Sequence, residues 1–345
     1  MPSLIGWDIG GAHLKAVHLN AQGIVINVKQ LACPLWLGLD QLESSIIVML
    51  HSFAVSPMNM QHAVTMTGEL VDLFESREDG VMQIAQKVHE VLGQHVHFYH
   101  INDQSKHHGF IKIDQLANHT KYTASANWHA SAELLALCIP NAILVDVGST
   151  TTDIIPIENG HVMQVGITDH ERMQQDTLVY TGVVRTPIMA IAQKIDLDKN
   201  ETNVAAEFFA TSADIYRLTE ELPIGVDMAD TADGKPKTVI DSAKRMARMV
   251  GCDLEDKPLN IWKDLALSFR DKQLNQITMA IKKHLKKDMT IIGAGAGRFL
   301  IASAANDLGY QYKDFSSILD NTLGEDINVC LPAYAVARLA YLKVS

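Results

Sequence analysis

An aspartate closes an apolar run twice in this chain, and the residues after it recur as well. Residues 5–19 read IGWDIGGAHLKAVHL and residues 143–157 read ILVDVGSTTTDIIPI. With Asp8 set on Asp146, both segments run as an apolar stretch, Asp, an apolar residue, Gly and a small residue. A charged side chain, Lys15 or Asp153, comes seven positions past each aspartate. A second apolar run comes next, AVHLN or IIPIEN. Then come turns at Gln22-Gly23 and Asn159-Gly160, and a third short run, IVINV or HVMQV. A strand–turn–strand–turn–strand unit used twice predicts two domains of one design. A length of 345 residues also exceeds what one typical core organises.

The turns suggest the chemistry. Gly10 and Gly11, like Gly148 and Ser149, keep side-chain bulk away from backbone N–H groups, and consecutive N–H groups in a tight turn form an anion-binding nest. Ser149, Thr150, Thr151 and Thr152 add hydroxyl donors. An aspartate at each strand end, Asp8 and Asp146, is a ligand type that Mg²⁺ accepts. Lys15 supplies a point charge for phosphate. Two such loops predict that the chain binds a di- or triphosphate.

Composition narrows the partners. A net charge of −11 repels phosphate backbones, so nucleic acid is excluded as an expected partner. No apolar run reaches the ~18 residues of a membrane span. The opening MPSLIGWDIGG enters a strand with no basic segment before it, the pattern expected of a cytoplasmic protein. Cys33, Cys138, Cys252 and Cys330 form no CxxC pair and are expected to be buried thiols. A homo-oligomer is compatible with the sequence, which does not specify one.

The paired loops resemble the two phosphate motifs of the actin-like ATPase (ribonuclease H-like) fold, shared by actin, Hsp70, sugar kinases and the hydantoinase/oxoprolinase group. The resemblance implies an α/β chain of two domains, each a mixed sheet flanked by helices, with a cleft between them. It also implies a Gly-rich adenosine turn, and Gly293, Gly295 and Gly297 in MTIIGAGAGRFLIASAANDLG fit that place. Further motifs are TMTGELVDLFESREDGV, ANWHASA, LVYTGVVRTPI, EFFATSADIYRLTEELP and ADGKPKTVIDSAKRMARMVGCD. With these the chain resembles, over nearly its whole length, proteins encoded with tetrahydromethanopterin-linked C1-transfer pathways. It departs from their pattern at Gly68, where Ala is expected, and at His13-Leu14, where Asn-Thr is expected.

The methanofuran-forming branch of that group implies a specific reaction. Aminomethylfuran diphosphate would be joined to the phenol oxygen of γ-glutamyltyramine, or of tyramine itself, with release of pyrophosphate. Asp8 and Asp146 would hold Mg²⁺, and Lys15 with the loops would hold the leaving group. Asp153, or Glu69 in the TGE sequence, would take the phenolic proton. Arg77 and Arg185 could fork onto phosphate or a glutamyl carboxylate, or form surface ion pairs. Asn127 lies near a helix start, where it could touch substrate or cap the helix. Two other readings stay open. One is an ATP-dependent small-molecule kinase or hydrolase; ATP is compatible with the chain but not required by the transfer. The other is a non-catalytic actin-like scaffold.

The expected layout is a first domain over 1–140 and a second over 141–330, with a helix at 331–344 returning to the first. Strands are predicted at 4–8, 14–19, 24–30, 62–67, 95–101 and 142–147. Helices are predicted at 39–54, 79–92, 186–195, 200–220, 238–251 and 259–285. The five histidines within 95–109 read as a solvated strand and loop, and the basic run KKHLKKD as a helix end.

Overall fold

The structure, a computed structural model, describes residues 3–101, 109–163, 166–318 and 326–344. The chain divides into two compact units. The first comprises Met1–Asn141, Ile157–Gln175 and Ser316–Ser345; the second comprises Ala142–Pro156 and Asp176–Phe315.

The first unit holds strands β1 (Leu4–Ile9), β2 (His13–Leu19), β3 (Val25–Ala32), β4 (Gln61–Met66), β5 (Val96–His100) and β6 (Gly109–Ile111). Their order is β3-β2-β1-β4-β5-β6. β1 runs antiparallel to β2 and parallel to β4, which is parallel to β5. All six residues of β1 are buried, as a strand covered on both faces requires. Ile5, Trp7 and Ile9 enter the core with Leu42, Ile46 and Met49 of helix Leu39–Phe53 and with Val81, Ile84 and Val88 of helix Arg77–Leu92. Helix Leu331–Val344 covers the other face. Its approach explains Gly6, where a Cβ would stand 2.0 Å from the Ala333 carbonyl oxygen.

The second unit repeats the plan. β7 (Ala142–Val147) and β8 (Thr152–Glu158) are followed by β9 (His161–Val162), whose residues, like Ile157 and Glu158 with which they pair, fall in the first unit, and then by β10 (Leu178–Val179), the hairpin β11 (Lys194–Leu197) and β12 (Asn200–Asn203), β13 (Thr290–Ala294) and β14 (Tyr312–Asp314). The sheet order is β10-β8-β7-β13-β14, with β9 against β8. β7 is parallel to β13, and β13 to β14. Thus β7, β8, β13 and β14 take the places of β1, β2, β4 and β5. Each unit carries the mixed sheet of the ribonuclease H-like, actin-like plan.

The structure corrects several expectations. In place of long helices at 186–195 and 200–220 there are only Ile188–Ile191 and Ser212–Leu218, with the hairpin β11–β12 between them. The hairpin arises from period-two patterning. Ile195 and Leu197 are buried and Lys194 and Asp196 exposed, and Asp198 and Lys199 both take the positive φ of a primed turn. β5 is largely buried rather than solvated: Phe98, Tyr99 and His100 are inside, while His95 is exposed and His97 half-buried. His107 and His108 lie outside the described residues. Only Cys33 and Cys330 are buried; Cys252 is half-buried and Cys138 exposed.

Residues 157–175 associate with the first unit through local ties. The Gly160 N–H donates to the Pro140 carbonyl at 2.9 Å, and the Arg172 guanidinium stacks 4.2 Å from the Trp128 ring centre. Of the third run HVMQV, only His161 and Val162 form strand, and residues 164 and 165 lie outside the described residues. Among the described residues no helix is long and apolar enough to cross a membrane.

Candidate functional site

In the first unit, β1 delivers Asp8 to the edge of its hairpin loop. Cross-strand pairing sets Lys15 directly opposite, with Lys15 Nζ 3.6 Å from Asp8 Oδ2. Asp8 is buried and Lys15 half-buried. The Gly10 N–H donates to the His13 carbonyl at 2.9 Å, which closes the loop. No hydrogen bond among the described residues takes the Gly11 N–H.

The end of β4 lies beside this loop. A Cβ on Gly10 would stand 3.6 Å from Thr67 Oγ1, and one on Gly68 would stand 3.3 Å from the Gly10 carbonyl oxygen and 2.7 Å from Leu35 Cδ2. The short turn Gly68–Leu70 then buries Glu69, whose exposure is 1%. Ser125 Oγ donates to Glu69 Oε1 at 2.6 Å, while Glu69 Oε2 is buried without a hydrogen-bond partner among the described residues. Burial raises the Glu69 carboxyl to about 7; the Ser125 hydrogen bond and the Arg77 charge pull the other way, and Asp169 adds to the rise. Gly80, in the first turns of helix Arg77–Leu92, makes room for this residue. A Cβ there would meet the Glu69 carbonyl oxygen at 2.7 Å. A glycine inside a helix weakens it, so the close approach accounts for its presence.

Arg77 forms an ion pair with Asp169, the first residue of helix Asp169–Gln174. Asn127 opens helix Asn127–Ala136 and is half-buried. It does not cap the helix, because the N-cap is Ala126. Trp128 and His129 turn inward, the first against Arg172 and the second with Nδ1 2.7 Å from the Tyr99 hydroxyl.

In the second unit, the loop after β7 is built the same way. The Gly148 N–H donates to the Thr151 carbonyl at 2.8 Å. No hydrogen bond among the described residues takes the N–H of Ser149 or Thr150, and Ser149 Oγ is buried without a partner among them. Thr152 differs from its neighbours. It is fully buried, and its hydroxyl donates to the Thr181 carbonyl at 2.7 Å, so it ties down the turn after β10 rather than facing a ligand. Asp153, in the place of Lys15, pairs across the sheet with Leu178.

The second loop has close backing. The Val183 N–H donates to the Gly148 carbonyl, and the Val184 and Arg185 N–H groups to the Ser149 carbonyl, at 3.0, 3.1 and 2.9 Å. Arg185 therefore stands beside Ser149. A Cβ on Gly182 would fall 2.6 Å from Gly148 O, Ser149 C and Thr150 N. Buried Gln273 locks this segment, with Nε2 donating to Thr181 Oγ1 at 2.7 Å and to the Gly182 carbonyl at 2.9 Å. The Gly-rich turn closes on the same loop. A Cβ on Gly295 would stand 2.3 Å from Asp146 Oδ1, one on Gly297 2.5 Å from Val147 Cγ1, and one on Gly293 2.6 Å from the Tyr312 hydroxyl. Each of these glycines has a packing reason inside the chain. Gly148 has none: its φ is ordinary, and a Cβ would meet nothing nearer than the Thr151 carbonyl oxygen at 3.5 Å.

The first unit thus gathers Asp8, Lys15, Gly10, Gly11, Glu69 and Ser125. The second gathers Asp146, Gly148, Ser149, Thr150, Thr151 and Arg185. Sequence reasoning missed Ser125, Gly80, Gly182 and Gln273. Gly80, within TMTGELVDLFESREDGV, and Gly182, within LVYTGVVRTPI, lay in motifs the sequence displays; Ser125 and Gln273 act through partners 56 and 92 positions away.

The chain matches the hydantoinase/oxoprolinase family over residues 61–318. It is 29% identical over 346 residues, 97% of each chain, to a Methanocaldococcus jannaschii protein named (4-{4-[2-(gamma-L-glutamylamino)ethyl]phenoxymethyl}furan-2-yl)methanamine synthase. A Methanococcus vannielii protein of the same name is 32% identical over 204 residues, 58% of this chain and 90% of the relative. Among solved structures, component A of Acidaminococcus fermentans (R)-2-hydroxyglutaryl-CoA dehydratase aligns with TM-score 0.49 and 12% identity over 99% of both chains. A ROK family glucokinase from Streptomyces griseus, in complex with glucose and AMPPNP, aligns with TM-score 0.49 and 11% identity over 98% of both.

Proposed function

The chain belongs to the hydantoinase/oxoprolinase family, and from that premise we propose that it is a transferase of furan-cofactor biosynthesis. The reaction joins aminomethylfuran diphosphate to the phenol oxygen of γ-glutamyltyramine or tyramine and releases pyrophosphate. The observation that carries this reading is the end-to-end similarity to a synthase named for the ether product. The two anion loops and the buried Glu69 supply residues suited to each part of the chemistry.

The bond between the furfuryl carbon and the diphosphate oxygen breaks, and the furan oxygen spreads the developing positive charge. The phenol oxygen forms the new C–O bond and its proton leaves. In the first unit the Gly11 N–H and Lys15 are suited to phosphate charge, and within the second unit the Ser149 and Thr150 N–H groups and Arg185 are suited to it as well. Gly148, with no internal reason to lack a side chain, fits a position kept bare for a ligand. Glu69 Oε2 is the acceptor for the phenolic proton. A carboxyl at about 7 lies nearer the ordinary phenol value of ~10 than a solvated carboxylate does, so the transfer is easier.

Mg²⁺ fits the donors present. Each unit by itself offers one hard oxygen donor, Asp8 in the first and Asp146 in the second. Among the described residues no group of three or more His, Cys, Asp or Glu gathers at one point. Most of the coordination positions would therefore go to water and phosphate oxygens, as Mg²⁺ prefers. When bound, the ion supplies charge neutralisation to the leaving diphosphate. Gly293, Gly295 and Gly297 are explained by internal contacts, so their presence does not favour a nucleotide.

The test is incubation of the purified protein with aminomethylfuran diphosphate, Mg²⁺ and γ-glutamyltyramine, with tyramine as a parallel acceptor and with and without ATP. Ether detected by mass spectrometry, with stoichiometric pyrophosphate and no ATP, is the expected result. No ether with either acceptor overturns the reading. ATP turnover in the same vessels would point to a kinase or hydrolase instead.

A further inference from the structure

Ser125 has an unusual backbone. It lies between helices Thr120–Thr123 and Asn127–Ala136 with φ of +50°, a left-handed conformation that favours glycine. It is buried, and Ala124 before it bridges to Met66 at the end of β4. The serine hydroxyl thereby reaches Glu69 Oε1 at 2.6 Å. A strained residue persists where its surroundings over-determine it. Glycine would fit this backbone better, but it could not make the hydrogen bond.

We propose that Ser125 is a positioning residue that holds Glu69 by Oε1 and so presents Oε2 to the acceptor's proton. The inference rests on the reading of Glu69 as the base. The geometry is specific: one carboxyl oxygen is held, and the other is buried without a partner among the described residues. The groups acting on Glu69 are few. Besides Ser125 they are its own backbone N–H, Arg77 at the start of helix Arg77–Leu92 and Asp169 at the start of helix Asp169–Gln174. Arg77 and Asp169 pair with each other and act on Glu69 in opposite senses. Ser125 is the side chain that hydrogen-bonds it, and the bond favours the ionised form against the cost of burial. A base must be ionised to accept a proton, so losing the hydroxyl should move the acid limb of the rate profile to higher pH.

The experiment compares wild type, Ser125→Gly, Ser125→Ala and Glu69→Gln. Rates of pyrophosphate release are followed from acid to alkaline pH. In parallel, the Glu69 carboxyl is titrated by NMR in protein labelled with ¹³C at glutamate Cδ, its signal identified by its loss in Glu69→Gln. Ser125→Gly relieves the positive φ, which offsets part of the cost of the lost hydrogen bond, so a folding defect in Ser125→Ala does not block the test. The expected result is an upward shift of about one pH unit in both the acid limb and the NMR titration, with the rate recovering at alkaline pH. A Glu69 titration unchanged in Ser125→Gly overturns the proposal, as does a rate that falls equally at every pH. Full activity in Glu69→Gln overturns the reading of Glu69 as base, which is a separate failure. The NMR arm needs no substrate, so it decides the role of Ser125 even if no ether forms.

Discussion

The two hairpin loops share a backbone and differ in what stands behind them. Both come after an aspartate-bearing strand, and both close with a glycine N–H on the carbonyl three residues on, Gly10 to His13 and Gly148 to Thr151. Behind the first are titratable groups. Trp7, the neighbour of Asp8, donates from Nε1 to His62 Nδ1 at 3.1 Å, and Glu69 lies just past β4. Behind the second is backbone at close range: Gly182, Gly295 and Gly297 have no space for a methyl group. Close packing backs both loops, since a Cβ on Gly68 beside the first would also stand 2.7 Å from Leu35 Cδ2, but the first has the titratable His62 and Glu69 behind it as well. Repeating a motif within one chain therefore does not repeat its energetics.

The largest expected effect concerns charge. Lys15→Met should lower pyrophosphate release by roughly 10²–10³-fold with little loss of stability, as removal of a preorganised charge at a leaving group does. Asp153→Asn, at the matching position, should cost only a few-fold. A reversed order in steady-state assays would mean that the second loop carries the decisive charge.

The pH dependence of stability separates the loops next. Burial lowers His62 from 6.5 to about 4. Because its folded value is depressed, the unfolded chain takes up the proton first as pH falls. Stability should decline from about pH 6.5 down to about pH 4, by up to ~3 kcal/mol, and no further below that from this group. Comparing urea midpoints of His62→Gln and wild type across that window isolates the term. Parallel pH curves for the two proteins would remove His62 from the account.

Glycine substitutions test the steric half. Gly295→Ala introduces a Cβ 2.3 Å from Asp146 Oδ1 at a φ of +78°, and should cost about 2–3 kcal/mol in thermal or urea unfolding. Gly148→Ala should leave the melting temperature nearly unchanged and reduce activity. If Gly148→Ala stays fully active, no ligand approaches that position. The smallest effect separates the hydroxyls: Thr152→Val, which breaks the bond to Thr181, should cost about 1 kcal/mol, and Thr150→Val almost nothing in stability.

The repeat was legible because hairpin chemistry is local. Asp-x-Gly followed by a charge at fixed spacing is written within a dozen residues, and the strand periods on either side are equally short-range. The β11–β12 hairpin was missed although its alternation is plain, because Asp198 and Lys199 make a primed turn without the glycine that normally marks one. Glu69 was a candidate from its motif, but its burial and its bond to Ser125 were not readable, since the two lie 56 positions apart. Gly80 carries no signal of its role, and its close approach to the Glu69 backbone explains it.

The sequence by itself determined the two-fold α/β plan and the placement of Asp8, Lys15, Asp146 and the loop hydroxyls at strand ends. Those properties depend on residue type and near-neighbour spacing, which are fixed along the chain. The tertiary structure decided which hydroxyl is committed to the fold, which glycines are packing elements and which is left bare. It also decided which carboxyl is raised toward neutrality. Those outcomes depend on which distant atoms come within a few ångströms and on how much water they displace, and such contacts arise only when the chain is folded.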